Sequence, residues 1–348
     1  MRVHVSKLII QIPCLNEAET LPATLADLPR EIAGIDTIEW LVIDDGSDDA
    51  TVQVARGHGV DHIIRFRTHK GLAAAFTAGL DAAVRFGADY IVNTDADNQY
   101  AGGDVAALVQ PLLDGAADIV IGDRNVATTR RMPAAKRWLQ RIGSWVVRRV
   151  SNTGVPDATS GFRAYTREAA LRQTVVSDFS YTLETIIQAG RKRMAIAHVP
   201  VATNDSTRPS RLFDSVFTYI RKSAATIVRT YTLYEPLTVF TAAGLTLVAG
   251  GLGISLRFLY FYFNGAGSGH VQSLILAAVL LIVGFQVLLI GLLADVLSAN
   301  RKLTEELLYR VRTLEANGGL ASRPGEYEPV REELDLPVPA AGAGSRRG

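Results

Sequence analysis

The chain has 348 residues, with 36 Lys and Arg against 35 Asp and Glu, a formal net charge of +1. That balance excludes a globally basic nucleic-acid binder and an acidic disordered chain, and the length accommodates roughly two domains of ~100–200 residues. A single cysteine, Cys14, excludes an internal disulfide framework and a cysteine-based zinc site.

In chain order, apolar runs at 7–13, 38–44, 61–67, 90–95, 118–123 and 194–203 read as strands. The first five end at a turn or an acidic residue, as buried parallel strands do. The first run is short and meets Pro13 and charged residues at once, so it is not a signal peptide. Helical patterns lie between the strands at 17–28, 50–57, 71–86 and 103–113. Strand–helix alternation over residues 1–205 predicts an α/β domain with a mostly parallel sheet. Ligands of such sheets bind beyond the carboxyl ends of the strands. The polar clusters fall there: Asn16 with Glu17, Asp44 with Asp45, Asp95 with Asp97, and Asp123 with Arg124.

Residues 133–150 carry an apolar stripe of Leu139, Ile142, Val146 and Val150, widened by Trp138 and Trp145 and interleaved with Lys and Arg. The pattern suits an interfacial helix as well as a core-packing one. Residues 206–235 form a basic amphipathic juxtamembrane segment. Residues 236–263 then hold one charge, Arg257, and residues 271–294 hold none. Each exceeds the ~20 residues needed to cross the hydrocarbon core, so 236–298 reads as a transmembrane hairpin. The linker 264–270 lacks Lys and Arg, whereas Arg221, Lys222, Arg229, Arg301, Lys302 and Arg310 flank the outer ends. The positive-inside rule puts the catalytic domain and both termini in the cytoplasm. A helix over 299–314 carries Leu303, Leu307, Val311 and Leu314 at near-heptad spacing, open to pairing with a second copy. Residues 315–348 have the composition of a disordered tail.

Asp95 and Asp97, one residue apart at a strand end, are oxygen ligands suited to Mg²⁺ or Mn²⁺. The segment of Asp44, Asp45, Gly46 and Ser47 combines a turn and a helix start with carboxylates able to accept hydrogen bonds from a base or ribose. Pro13, Asn16 and Glu17 likewise close a strand and open a helix.

Taken in order, these pieces resemble the family 2 glycosyltransferases of GT-A fold: P-x-x-N-E at 13–17, D-D-G-S at 44–47 and D-x-D at 95–97. Lys70 and Gly71 resemble the N-K-G segment with His69 in place of Asn, Gly122 to Arg124 resemble G-S-R, and 157–163 resemble D-x-x-S-G-F-R. With two C-terminal spans the resemblance narrows to the polyprenyl-phosphate (dolichyl-phosphate) glycosyltransferases, and the two-helix architecture is similar to the bacterial glucosyltransferases of the GtrB type. Processive synthases carry Q-x-x-R-W, and Ala134 stands at the Gln position before Arg137 and Trp138.

The resemblance implies a nucleotide-sugar site of Pro13, Asn16, Glu17, Asp44, Asp45, Lys70, Asp95 and Ala96, and a Mg²⁺ or Mn²⁺ site of Asp95, Asp97 and Gln99. It implies catalytic roles for Asp97, Arg124 and Asp157, with Asp157 the candidate catalytic carboxylate and its role open between ordering the acceptor and a second metal contact. Arg124, Arg130, Arg131, Ser160 and Arg163 are the expected holders of an acceptor phosphate, and Arg208, Ser210 and Arg211 a loop over the diphosphate. The implied reaction is inverting transfer of one hexose from UDP-glucose or GDP-mannose to a membrane polyprenyl phosphate. The alternatives are a different membrane acceptor, such as a diacylglycerol, and a membrane-anchored scaffold that binds nucleotide sugars without turnover. A homo-oligomer through the membrane hairpins is compatible with the resemblance; a nucleic-acid partner is not expected.

Overall fold

A computed structural model of the chain describes residues 5–124, 151, 153–175, 181–204, 221, 224–225, 228–229, 231–232, 235–265, 271–316 and 334–335. Two compact units emerge, Met1–Ile227 with Tyr309–Gly348, and Val228–Leu308.

The first unit is built on alternating strands and helices. In order these are β1 (Lys7–Cys14), α1 (Leu21–Asp27), β2 (Thr37–Asp44), α2 (Thr51–Gly57), β3 (His62–Arg65), α3 (Leu72–Arg85), β4 (Tyr90–Asn93), α4 (Val105–Leu113) and β5 (Ile119–Asp123). Then follow β6 (Arg163–Thr166), α5 (Arg167–Arg172), α6 (Tyr181–Arg191) and β7 (Ile196–Pro200). The sheet order is β7-β5-β6-β4-β1-β2-β3, with a two-residue edge strand β8 (Leu334–Asp335) beside β3. All pairs are parallel except those of β6, which runs antiparallel to both β4 and β5. The five expected N-terminal strands and their helices are present; β1 and β2 are one residue longer than their apolar runs, and β3, β4, β5 and the helices are shorter. The sequence reading missed β6, α5 and α6, because four residues, Arg163–Thr166, are too few to show a period.

The central strands are apolar on both faces: Leu8, Ile9, Ile10, Leu41, Val42, Ile91 and Val92 are all fully buried. Helices cover both faces, which is why these strands do not alternate apolar with polar. Two polar residues break the pattern. Gln11 and Asn93 are fully buried neighbours in register, and Gln11 Nε2 donates to Asn93 Oδ1 at 2.8 Å. Gly79 of α3 lies over Gln11 and Ile43, where any side chain would collide with both.

Two further helices are α7 (Pro236–Phe263) and α8 (Val271–Ala316). Both are long and apolar enough to cross a membrane. Within the second unit they pack antiparallel through small residues seven apart. Gly244 and Gly251 on α7, and Ala277, Gly284, Gly291 and Ser298 on α8, are the buried positions of this seam. A side chain on Gly284 would come 2.8 Å from Val248 Cγ2 and 3.0 Å from its backbone nitrogen. Small residues thus permit close backbone approach, as in membrane helix pairs. The outward surface of the pair is leucine, valine, isoleucine and aromatic, and most of it is exposed.

The expected separate helix at 299–314 is a continuation of α8, because no Pro, Gly or cap interrupts the helical sequence after Asp295. Its stripe of Leu303, Leu307, Val311 and Leu314 is exposed. Within the first unit the last turns of α8 lie against the α/β domain. Arg312 donates to the Gln173 carbonyl at 2.8 Å, and Arg172 sits 4.2 Å over the Tyr309 ring. Residues 133–150 and 206–220, expected as amphipathic helices, lie outside the described residues.

Candidate active site

The carboxyl ends of β1, β2, β4 and β5 bring the polar clusters to one edge of the sheet. At the end of β1, Asn16 takes a left-handed backbone with φ 54°, turning the chain from strand toward α1. Its N–H donates to Ser47 Oγ at 2.9 Å, and its Oδ1 accepts from the Asp48 N–H at 2.9 Å. Glu17 N–H donates to Thr51 Oγ1 at 2.9 Å. Asn16 and Glu17 therefore lock the β1 loop to the β2 loop. Pro13 is buried inside β1, opposite Ile43.

Asp44 and Asp45, both buried, divide their tasks. Asp45 accepts from the N–H groups of Lys70 at 2.7 Å and Gly71 at 2.9 Å, with His69 Nδ1 at 2.8 Å. Its oxygens are occupied in shaping the 69–71 turn. Gly46, at φ 78°, lets the His69 backbone approach to 2.9 Å from where a side chain would begin. Asp44 Oδ1 accepts from the Ser47 N–H, and Arg65 Nε stands 3.2 Å from its Oδ2. Burial pushes the Asp44 carboxyl upward in pKa. Lys70 Nζ lies 4.6 Å over the Phe66 ring.

Asp95 and Asp97 follow β4. Ala96, between them, is buried and its carbonyl accepts from Thr24 Oγ1 at 2.9 Å. Asp97 Oδ1 accepts from the Gln99 N–H at 3.1 Å, in a turn where Asn98 has φ 54°. The turn is zipped to the chain after β7. Asn204 N–H donates to the Gln99 carbonyl, and Asn204 Nδ2 to that of Asn98. Among the described residues no group donates a hydrogen bond to the Asp95 carboxylate. Burial and then the charge of Asp97 push its pKa up to about 7, against the pull of Arg124. Two crowded carboxylates, one without hydrogen-bond donors, fit a divalent cation. Among the described residues no three His, Cys, Asp or Glu cluster together. The chain thus offers two carboxylates and leaves the remaining positions to substrate oxygens and water, as Mg²⁺ sites on phosphate substrates commonly do.

Arg124, after β5, meets the segment 157–161. Its Nε donates to Asp157 Oδ2 at 2.7 Å, and its Nη2 to Asp157 Oδ1 at 3.1 Å and Thr159 Oγ1 at 2.9 Å. Burial works against the guanidinium charge, and Tyr100, Asp157 and Asp95 outweigh it, so Arg124 stays cationic. Burial likewise opposes the Asp157 carboxylate, and Arg124 and Thr159 outweigh it, holding Asp157 below the usual range.

Arg163 does not join the expected phosphate-holding set. It is fully buried and donates to the carbonyls of Ser160 at 2.8 Å and Ala158 at 3.0 Å and to Thr185 Oγ1 at 2.7 Å. Ser160 is fully buried as well. Arg163 sits behind the 157–161 loop because the strand β6 begins there and alternation turns its side chain into the domain, and Ser160 is a buried member of that loop whose carbonyl Arg163 holds. Their part is to fix the loop. Arg130, Arg131, Arg208, Ser210 and Arg211 lie outside the described residues.

Several contributors escaped the sequence reading. Asn93 Nδ2 donates to the Gly161 carbonyl at 2.8 Å and to Tyr181 Oη at 3.0 Å, and the Gly161 N–H donates to Tyr100 Oη at 3.1 Å. A side chain at Gly161 would stand 3.1 Å from both Asp95 carboxylate oxygens. The loop therefore touches the Asp95–Asp97 side and the Arg124 side at once. Polar Gln11 and Asn93 inside apolar strand runs were the available signal.

The family model for glycosyl transferase family 2 matches residues 9–172. A Haloferax volcanii protein named glycosyltransferase AglJ is 30% identical over 319 residues, covering 88% of this chain and 97% of that one. The chain belongs to glycosyl transferase family 2. A polyprenol monophosphomannose synthase of Mycolicibacterium smegmatis is 32% identical over 46% of this chain and 62% of its own length. In fold the chain is similar to glucosyl-3-phosphoglycerate synthase of Mycobacterium tuberculosis, solved with Mn²⁺, UDP-glucose and phosphoglyceric acid. That match has a TM-score of 0.54 at 21% identity and covers 65% of this chain and 80% of that one. The mostly parallel sheet with its antiparallel β6 is thus the GT-A fold expected from the sequence.

Proposed function

We propose that this glycosyltransferase moves one hexose from a nucleotide sugar, UDP-glucose or GDP-mannose, to a membrane polyprenyl phosphate, with inversion at the anomeric carbon. The observation that carries the proposal is a cationic, largely enclosed Arg124 held near the Asp95–Asp97 pair, in a chain with two apolar helices. An arginine held there suits an anionic acceptor. The relative named for phosphomannose synthesis on polyprenol supports the acceptor class.

Asp95 and Asp97, with Gln99, would hold Mg²⁺ or Mn²⁺, and the bound cation supplies neutralisation of the departing diphosphate. The nucleoside side is the edge of Asn16, Asp44 and the 69–71 turn that Asp45 shapes, with Lys70 toward the phosphates. Arg124, joined by Arg130 and Arg131, receives the acceptor phosphate, and Arg208, Ser210 and Arg211 close over the diphosphate. The two apolar helices anchor the enzyme where its lipid acceptor resides, with catalytic domain and termini cytoplasmic.

The test is purified full-length protein offered UDP-glucose or GDP-mannose with Mn²⁺ or Mg²⁺, against polyprenyl phosphate or diacylglycerol. Lipid-linked hexose on the polyprenyl phosphate alone is the expected product. Transfer to diacylglycerol, or nucleotide-sugar binding without transfer, would replace the reading with another acceptor or with a scaffold.

A further inference from the structure

Resting on that reading, we infer that Asp157 and Thr159 are positioning residues that hold Arg124 for the acceptor phosphate, and that Asp157 takes no proton from the acceptor.

The count of donors and acceptors carries this. A guanidinium has five N–H donors and a carboxylate about four lone-pair sites. Asp157 Oδ2 accepts from Arg124 Nε, while Oδ1 accepts from Arg124 Nη2, the Thr159 N–H at 3.2 Å and Thr159 Oγ1 at 2.9 Å. Both oxygens of Asp157 are thus engaged by Arg124, and Oδ1 by Thr159 as well, so a proton taken up by this carboxylate would come at the expense of the Arg124 pair. Among the described residues the Nε and Nη2 donors of Arg124 are occupied, which leaves its Nη1 hydrogens for a ligand. The loop cannot swing aside, because buried Arg163 grips the carbonyls of Ala158 and Ser160 on the far side. The clamp therefore selects one edge of the guanidinium and fixes its direction.

The chemistry of the acceptor follows. Asp95 and Asp97 are the cation pair, and Glu17 is hydrogen-bonded to Thr20 Oγ1. With Asp157 committed to Arg124, the acceptor this site suits is one that brings its own negative charge. A phosphate monoester does so, with a second pKa of ~6; a neutral alcohol does not. The phosphate oxygen forms the new bond to the anomeric carbon. The bond from that carbon to the diphosphate breaks, its electron pair leaves with the nucleoside diphosphate, and no proton moves.

The experiment is a double-mutant cycle on the full-length enzyme with Mn²⁺ and varied polyprenyl phosphate, using Asp157→Asn, Arg124→Ala and the double variant. Loss of the clamp is expected to raise the acceptor KM about tenfold or more. Donor affinity should stay within about twofold, and Asp157→Asn should add little on the Arg124→Ala background, where its partner is gone. Thr159→Val gives a milder rise in the same KM and serves where Asp157→Asn does not fold. Losses that multiply in the double variant, with kcat at saturating acceptor lowered by Asp157→Asn, would overturn the clamp and make Asp157 a proton acceptor. Wild-type enzyme without transfer to polyprenyl phosphate would overturn the proposed function and the clamp together; transfer with multiplying losses overturns the clamp alone.

Discussion

An Asp95 carboxyl pushed up to about 7 is protonated over much of the mildly acidic range and must release that proton to bind a cation. Mn²⁺ affinity of the nucleotide-free enzyme should therefore rise about tenfold per pH unit below 7 and level off above it. Calorimetry across pH checks this, and a flat profile contradicts it. The sign for stability runs the other way. The folded state keeps a proton that the unfolded chain, at an ordinary value of 3.8, has already lost. The metal-free protein thus loses this group's contribution as pH rises from about 4 to 7, and bound metal restores it. Gly161→Ala should weaken Mn²⁺ binding and transfer together, since the new methyl lies 3.1 Å from both Asp95 oxygens. The same substitution leaving Mn²⁺ affinity unchanged would separate the loop from the cation pair. The placement of Asp95, Asp97 and Arg124 at strand ends along one edge of the sheet was legible in the sequence, because α/β sheets display strand-end side chains to one crevice. The orientation of Arg163 was not, because residue type alone does not say which arginine of two faces the ligand and which turns into the core.

Among the elements, the pair of long apolar helices makes the sharpest statement. The two helices were legible from length and charge poverty, but the seam between them was not. The seam appears only in the antiparallel pairing, which sets Gly244 by Gly284 and Gly251 by Ala277. Gly284→Leu places a side chain against the Val248 backbone, where neither helix can yield without shifting. Overpacking of this kind costs about 1–3 kcal/mol, so the unfolding midpoint in detergent should fall. Leu289→Ala, on the exposed surface, should move it much less. Equal effects from the two variants would reject the seam. The antiparallel β6 escaped the sequence reading for a related reason. A strand of four residues is defined by its neighbours β4 and β5, and its sequence carries the loop signature instead.

For the whole molecule, the near balance of charge hides a local arrangement. Basic residues border the apolar helices on their outer ends, and the 264–270 linker has none. A cysteine introduced in that linker, in a Cys14→Ser background, should label from outside intact cells; labelling only after lysis would reject the cytoplasmic placement of the termini. The proposed activity of this family 2 glycosyltransferase is to build a lipid-linked sugar on a polyprenyl phosphate using a divalent cation at Asp95 and Asp97. The most direct measurement is mass spectrometry of the lipid product from purified enzyme, Mn²⁺, polyprenyl phosphate and UDP-glucose or GDP-mannose. The account predicts a polyprenyl-phosphate hexose that disappears on chelation and in Asp97→Ala. Undiminished product from Asp97→Ala, or no lipid-linked hexose from either donor, would contradict it.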